Sequence, residues 1–159
     1  MMKKLRLLAL AQAALFASLS VDEIVNKVDT RDEGDNGIGT MKMILIDKHN
    51  NERVRSMKKY SKDFGKDTYS AIFFLSPSDI KNTAFLTYDY DDGAKDDDQW
   101  LYLPALKKSK RIASSDKSAS FMGSDFTYSD MTSRTIEDYT YELAKESKVG
   151  KHKVWVIES

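Results

Sequence analysis

The sequence predicts a mainly β protein organised as one curved antiparallel sheet, and three observations carry that prediction. Apolar and polar residues alternate with a period of two through several short runs. The clearest is Thr68–Leu75, where Tyr69, Ala71, Phe73 and Leu75 share one face and Ile72 and Phe74 the other. The runs follow one another through short polar turns, without the interposed helices that a parallel crossover needs. Several runs are apolar on both faces, as in Met43-Ile44-Leu45-Ile46, so a second face needs covering. A strongly curved sheet wrapped around an apolar interior meets that need.

The elements can be justified in order. Met1-Met2-Lys3-Lys4-Leu5-Arg6 is basic, Leu7–Leu15 is apolar apart from Gln12, and small residues follow at Ala17, Ser18 and Ser20. This is the layout of a cleavable signal peptide over residues 1–20, which leaves 21–159 as the β domain. Ser20 and Glu23 have capping-box spacing, and Ile24, Val25 and Val28 share a helical face, so a short helix is expected near 21–30. Arg31–Gly39 reads as a loop because it carries three glycines and several acids. Strands are expected at Thr40–Asp47 and Glu52–Tyr60 around the turn Lys48–Asn51, then at Thr68–Leu75 after a polar turn over Ser61–Asp67. Asn82–Tyr90 is the next strand. After the acidic loop Asp89–Asp98 come the aromatic strand Gln99–Pro104 and the basic return Lys107–Ile112. Ser114–Arg134 is irregular and aromatic, and is expected to act as a helical or irregular lid. A last hairpin joins Tyr139–Lys145 to His152–Ile157.

Composition removes several function classes. Lys plus Arg equals Asp plus Glu at 25 each, which gives no support for a nucleic-acid partner. The absence of cysteine excludes disulfides, thiolate catalysis and cysteine metal sites. His49 and His152 fall in polar turns without zinc-ligand spacing, and Gly123-Ser124 lacks the flanks of a nucleophile elbow. The acids Asp89, Asp91, Asp92, Asp96, Asp97 and Asp98 miss the calcium-loop pattern, because the sixth position from Asp89 is Ala94 and Gly93 comes one residue early. They read as a solvated hairpin loop. No catalytic residue, metal site or cofactor is therefore expected, and the chain does not read as an enzyme.

What remains is apolar and basic. Ile72, Phe74, Phe85, Trp100, Tyr102, Phe121 and Phe126 are candidates to line an apolar cavity, with ordinary core packing as the other role that the pattern allows. In a sequential meander, Ile72, Phe74, Phe85, Trp100 and Tyr102 are expected to form one continuous patch. Lys108, Lys110 and Arg111 are candidates to contact an anionic head group or a partner, or to guard a strand edge.

Asp97–Leu106, Arg111-Ile112-Ala113 and Phe121–Met131, with the earlier Phe74–Lys81, resemble the signature of the periplasmic LolA-like outer-membrane lipoprotein-sorting proteins. The resemblance runs from the signal peptide to Ser159. It implies a half-open antiparallel barrel, like those of LolA and LolB, with a helical lid and acyl chains in its concave side. It also implies a periplasmic carrier of lipoproteins or lipids that moves cargo towards the outer membrane, between an inner-membrane transporter and an outer-membrane acceptor. Relatives continue with further strands, so an incomplete sheet with an open edge near Val154–Ile157 is expected. The competing reading is a non-catalytic envelope module that binds a protein partner through that sheet edge.

Overall fold

The computed structural model describes residues 19–159, in two compact units. The first unit holds helix α1 (Val21–Asp29) and a hairpin of β7 (Glu142–Val149) and β8 (His152–Glu158). The second, Asp32–Asp138, holds six strands: β1 (Asn36–Ile46), β2 (Glu52–Phe64), β3 (Asp67–Ser76), β4 (Ala84–Asp89), β5 (Asp98–Leu103) and β6 (Lys108–Arg111). The expected signal peptide lies outside the described residues, apart from Leu19 and Ser20.

Helix α1 starts where its capping box places it. Ser20 Oγ accepts from the Glu23 amide at 3.2 Å, and the Ser20 amide donates to Glu23 Oε2 at 2.7 Å. These bonds hold the Glu23 carboxyl below its ordinary range.

Strands β1 to β6 form one antiparallel sheet in which each strand pairs with its neighbour in sequence, so the fold is mainly β, an open meander and not a closed barrel. The terminal hairpin does not continue it: β7 and β8 form a separate two-stranded sheet. Among the described residues the edge strands of the main sheet are β1 and β6, and β8, which holds Val154–Ile157, is an edge strand of the smaller sheet.

Three strand boundaries lie well beyond the expected ones, one of them the end of β7 at Val149, past the expected Lys145. β1 begins at Asn36, taking Gly37 and Gly39 into the ladder opposite Ser61 and Lys59. A Cβ on Gly37 would meet Ser61 Oγ at 2.9 Å, so this glycine serves close packing within the strand. β2 runs on to Phe64, and a two-residue loop, Gly65-Lys66, turns the chain into β3. Gly65 has φ +73°, the left-handed conformation that such tight hairpins demand.

Register decides which side chains share a face. Ile72 pairs with Phe85 and Phe85 with Leu101, so these three lie together on one side. Met57, paired with Phe74, joins them. This side is closed by the chain between Ile112 and Asp138. Phe121 inserts against Phe85 and Phe74 with ring centroids 5.0 and 6.2 Å away, and Tyr128 packs on both Phe85 and Phe121 at 5.7 Å. Phe74, Phe85 and Phe121 are each only 1% exposed.

The covering segment has no helix longer than a single 3-10 turn, so its backbone polar groups need partners from the sheet. Gln99, fully buried in β5, donates from Nε2 to the Tyr128 carbonyl at 2.8 Å, and the Ile112 amide returns to the Gln99 carbonyl at 2.9 Å. Arg55 donates to the Met122 carbonyl at 2.5 Å. Met122 presents that carbonyl by adopting φ +52°, next to Gly123 at φ +74°. Asp89 Oδ2 accepts from both the amide and the hydroxyl of Ser133 at 2.7 Å. Burial raises the Asp89 carboxyl above the ordinary carboxylate range, against the pull of the two Ser133 bonds.

Candidate functional site: an open aromatic face

The other side of the same sheet is built from the alternate positions. Ala71 pairs with Leu86 and Leu86 with Trp100; Phe73 pairs with Ala84 and Ala84 with Tyr102. On β2, Lys58 and Tyr60 stand opposite Phe73 and Ala71. No described segment of the Asp32–Asp138 unit covers this face as Phe121 and Tyr128 cover the opposite one. Tyr60, Phe73 and Leu75 remain 38%, 42% and 45% exposed.

An aromatic ribbon crosses four strands here. Phe64 leans on Tyr69 at 4.7 Å, Tyr69 stacks on Tyr88 at 3.9 Å, and Tyr88 meets the Trp100 ring edge-on at 5.0 Å. Tyr60 and Phe73 form a further edge-on pair at 5.9 Å. Such cross-strand pairs stabilise a sheet, but rings that serve only stability are commonly buried. Tyr60, Phe73, Tyr88 and Trp100 border two adjoining hollows of about 460 and 720 Å³, which share Phe73, Ala84 and Tyr102 in their linings. Both volumes fall in the ~300–1,000 Å³ range of small-molecule sites.

The expected continuous patch is split by the pleat. Ile72, Phe74 and Phe85 lie in the closed core with Phe121, while Trp100 and Tyr102 lie on the open face. The physical reason is the β4–β5 register: Phe85 pairs with Leu101, so both neighbours of Leu101 point to the opposite side. Phe85 and Phe74 border the hollows only from beneath, since their side chains are buried in the core. Phe126 is 55% exposed and lines a separate hollow of about 580 Å³ with Met43 to Asp47 and Arg53. Phe121 is core.

The basic candidates also diverge. Arg111 stands opposite Trp100 on the open side, while Lys108 and Lys110 stand opposite Leu103 and Leu101 and point the other way. Arg111 is already engaged: its Nε donates to Asp98 Oδ1 at 3.1 Å, and its Nη2 bonds the same oxygen. That bond and charge hold the Asp98 carboxyl down and the Arg111 guanidinium up from their ordinary values. Tyr90 donates to Asp98 Oδ2 at 3.0 Å, and its phenol is pushed up to about 12, first by loss of water and then by that bond. The acidic loop disperses its carboxylates in the same way. Asp92 accepts from the Ala94 amide, Asp97 from the Tyr90 amide and Asp96 from the Ser114 hydroxyl.

The sequence places Tyr69 and Phe73 on one face of β3, but Lys58, Tyr60, Tyr69, Phe73 and Tyr88 were not among the candidate site residues. Strict alternation in β3 and β4 signals Phe73 and Tyr88, but only the register joins them to Trp100 and Tyr102.

Comparison with known proteins places this arrangement. A family model described as "Uncharacterized protein" matches residues 66–159. An outer membrane lipoprotein-sorting protein domain from Vibrio parahaemolyticus is 41% identical with a TM-score of 0.71, over 85% of this chain and 57% of that one. A DUF1329 family protein from Desulfovibrio piger is 34% identical with a TM-score of 0.70, over 84% of this chain and 57% of that one. This chain thus spans little more than half the length of either solved relative. A search of curated proteins finds no match. The shared fold, the family match and the two solved relatives agree, and the chain belongs to this LolA-like family.

Proposed function

We propose that the protein is a periplasmic carrier that lays the acyl chains of a lipoprotein or lipid against the open aromatic face of the Asp32–Asp138 sheet. It performs no chemistry and uses no cofactor; an inner-membrane donor would load it and an outer-membrane acceptor would unload it. One observation carries the reading. The sheet spends its Phe121 segment on closing one face and leaves two adjoining apolar hollows along the aromatic ribbon of the other. The sorting description of the Vibrio relative supports it.

The energetics suit a carrier. Covering about fifteen methylenes at ~0.8 kcal/mol each gives about 12 kcal/mol gross. Association costs at least ~4 kcal/mol, which leaves about 8 kcal/mol, or low-micromolar affinity. That is tight enough to hold a chain and weak enough to release it. Phe73→Asp tests the assignment, because a carboxylate in the shared lining of both hollows opposes an acyl chain while water still reaches it. Binding of a fluorescent fatty-acyl probe should fall at least tenfold with the thermal midpoint retained. A folded variant with unchanged probe affinity would show that this face holds no ligand.

A second reading has its own observation. β1 is an eleven-residue open edge with Ile38, Ile44 and Ile46 exposed, a template for strand addition by a protein partner.

A further inference from the structure

The two hollows are lined mostly by apolar and aromatic side chains, with Ser109 in one and Asn82 and Lys58 in the other. Among the described residues, Lys58 is the single charged side chain that borders either of them. It is half-buried on β2, directly across from Phe73, one of the three residues that the hollows share. Its ammonium lies over the Tyr60 ring, 5.0 Å from the centroid, which holds the charge beside the apolar trough and not out in bulk water.

The surrounding charges are one-sided. Lys62 and Lys42 occupy alternate positions on the same side of β2 and β1, with Lys62 over the Phe64 ring at 5.2 Å. None of the three lysines forms an ion pair among the described residues. The carboxylate that stands beside Trp100 on this face, Asp98, is taken by Arg111. Asp63, between Lys62 and Phe64, points to the opposite side, where it accepts from the Thr68 hydroxyl at 2.7 Å. Asp67, opposite Phe64 at the end of β3, shares this face but accepts from the Asp91 amide at 3.1 Å. Among the described residues, no carboxylate forms an ion pair with Lys42, Lys58 or Lys62, which leaves a cationic flank along β1 and β2 with Lys58 in the lining of the larger hollow.

We propose that the open face selects anionic amphiphiles, and that Lys58 binds the anionic head group while Phe73, Ala84 and Tyr102 take the proximal methylenes. The inference rests on the acyl-binding reading above and names the ligand class within it. A neutral or cationic amphiphile would use the same apolar hollows but leave Lys58 unpaired or repelled. The geometry separates this role from that of the basic β6 strip, whose Lys108 and Lys110 point away from the hollows.

The test compares amphiphiles of equal chain length at neutral pH, below their aggregation limits: dodecanoate, dodecyl phosphate, dodecanol and dodecyltrimethylammonium. Acetate and inorganic phosphate serve as tail-less controls, and binding is followed by calorimetry. The wild type should bind the two anions about tenfold tighter than dodecanol, with the cation weakest and the tail-less anions not binding. Lys58→Gln should bring the affinities for dodecanoate and dodecyl phosphate down to that for dodecanol; Lys58→Arg should keep the preference. Thermal midpoints of both variants confirm the fold. Equal affinity for dodecanoate and dodecanol, or a preference that survives Lys58→Gln, overturns the inference while the acyl-binding reading stands. Binding of acetate or phosphate comparable to that of the amphiphiles also overturns it, since the site would then take a free anion. If no amphiphile binds, the acyl-binding reading itself fails.

Discussion

Replacing Phe121 with alanine separates the two faces of the sheet energetically. Phe121 is 1% exposed and wedged among Phe74, Phe85 and Tyr128, so its removal opens a void under the segment that covers the core. Full truncation of a buried phenylalanine costs about 3–5 kcal/mol, the spread reflecting how far the surroundings collapse. The covering segment is made of isolated single turns and can settle partly into the void, which places the expected loss near about 3.5 kcal/mol. At about 2–4 °C per kcal/mol for a chain of this size, the melting midpoint should fall by roughly 10 °C. Phe73→Ala is the matched control: the same atoms are removed from a ring that is 42% exposed on the open face, and the loss should stay below about 1 kcal/mol. Urea unfolding of both variants, followed by circular dichroism, gives the two numbers directly. A Phe121→Ala loss under about 1 kcal/mol, or equal losses for the two variants, would refute the division into a closed and an open face.

The remaining predictions use other parts of the fold. Asp89 should act in the opposite sense to an ordinary surface carboxylate. Its folded-state pKa is raised above the reference of 3.8, so its contribution is fully present below that value and is lost as pH rises through the raised one. The stability of the wild type relative to Asp89→Asn should therefore improve on acidification from about pH 7 to about pH 4, measured by denaturation midpoints; a pH-independent difference would contradict the assignment. Ile44→Lys on the open β1 edge should reduce concentration-dependent association in analytical ultracentrifugation, since a charge on an exposed edge discourages strand pairing. Equal association of the two forms would show that β1 does not mediate it.

Much of the fold was legible in the sequence because it is locally encoded. The Ser20–Glu23 capping box, the alternation in Thr68–Leu75 and the succession of short turns each specify structure within a few residues, and each is found where the pattern indicates. The strand ends at Gly37–Gly39 and Ser61–Phe64 were hidden because glycine and polar residues read as turn signals. Here they are instead held in the ladder by a close Gly37–Ser61 pairing and by the tight loop at Gly65. The site was only half legible. Alternation shows that Trp100 and Tyr102 share a face and that Ile72 and Phe74 share one, but it does not show whether the two faces coincide. That depends on β4–β5 register, a property of two strands together, and one residue of slip exchanges core for surface. Phe121 and Phe73 are equally apolar in sequence; what separates them is which one the covering segment carries. Lys58 was overlooked for a related reason. A lysine within a strand reads as an outward residue, and its place beside a hollow follows only from Phe73 standing opposite.

The central claim, that acyl chains lie on the aromatic face, is tested most directly at Trp100. It stands at the end of the ribbon and lines the smaller hollow, and Trp155 of β8 is the single other tryptophan. In a Trp155→Phe background all indole emission comes from Trp100. Titration with a fatty acid brominated along its chain should quench that emission saturably, with a midpoint in the low-micromolar range and with competition by the unbrominated acid. Binding of the same fatty acid by calorimetry with Trp100 left unquenched would place the chain elsewhere and contradict the account.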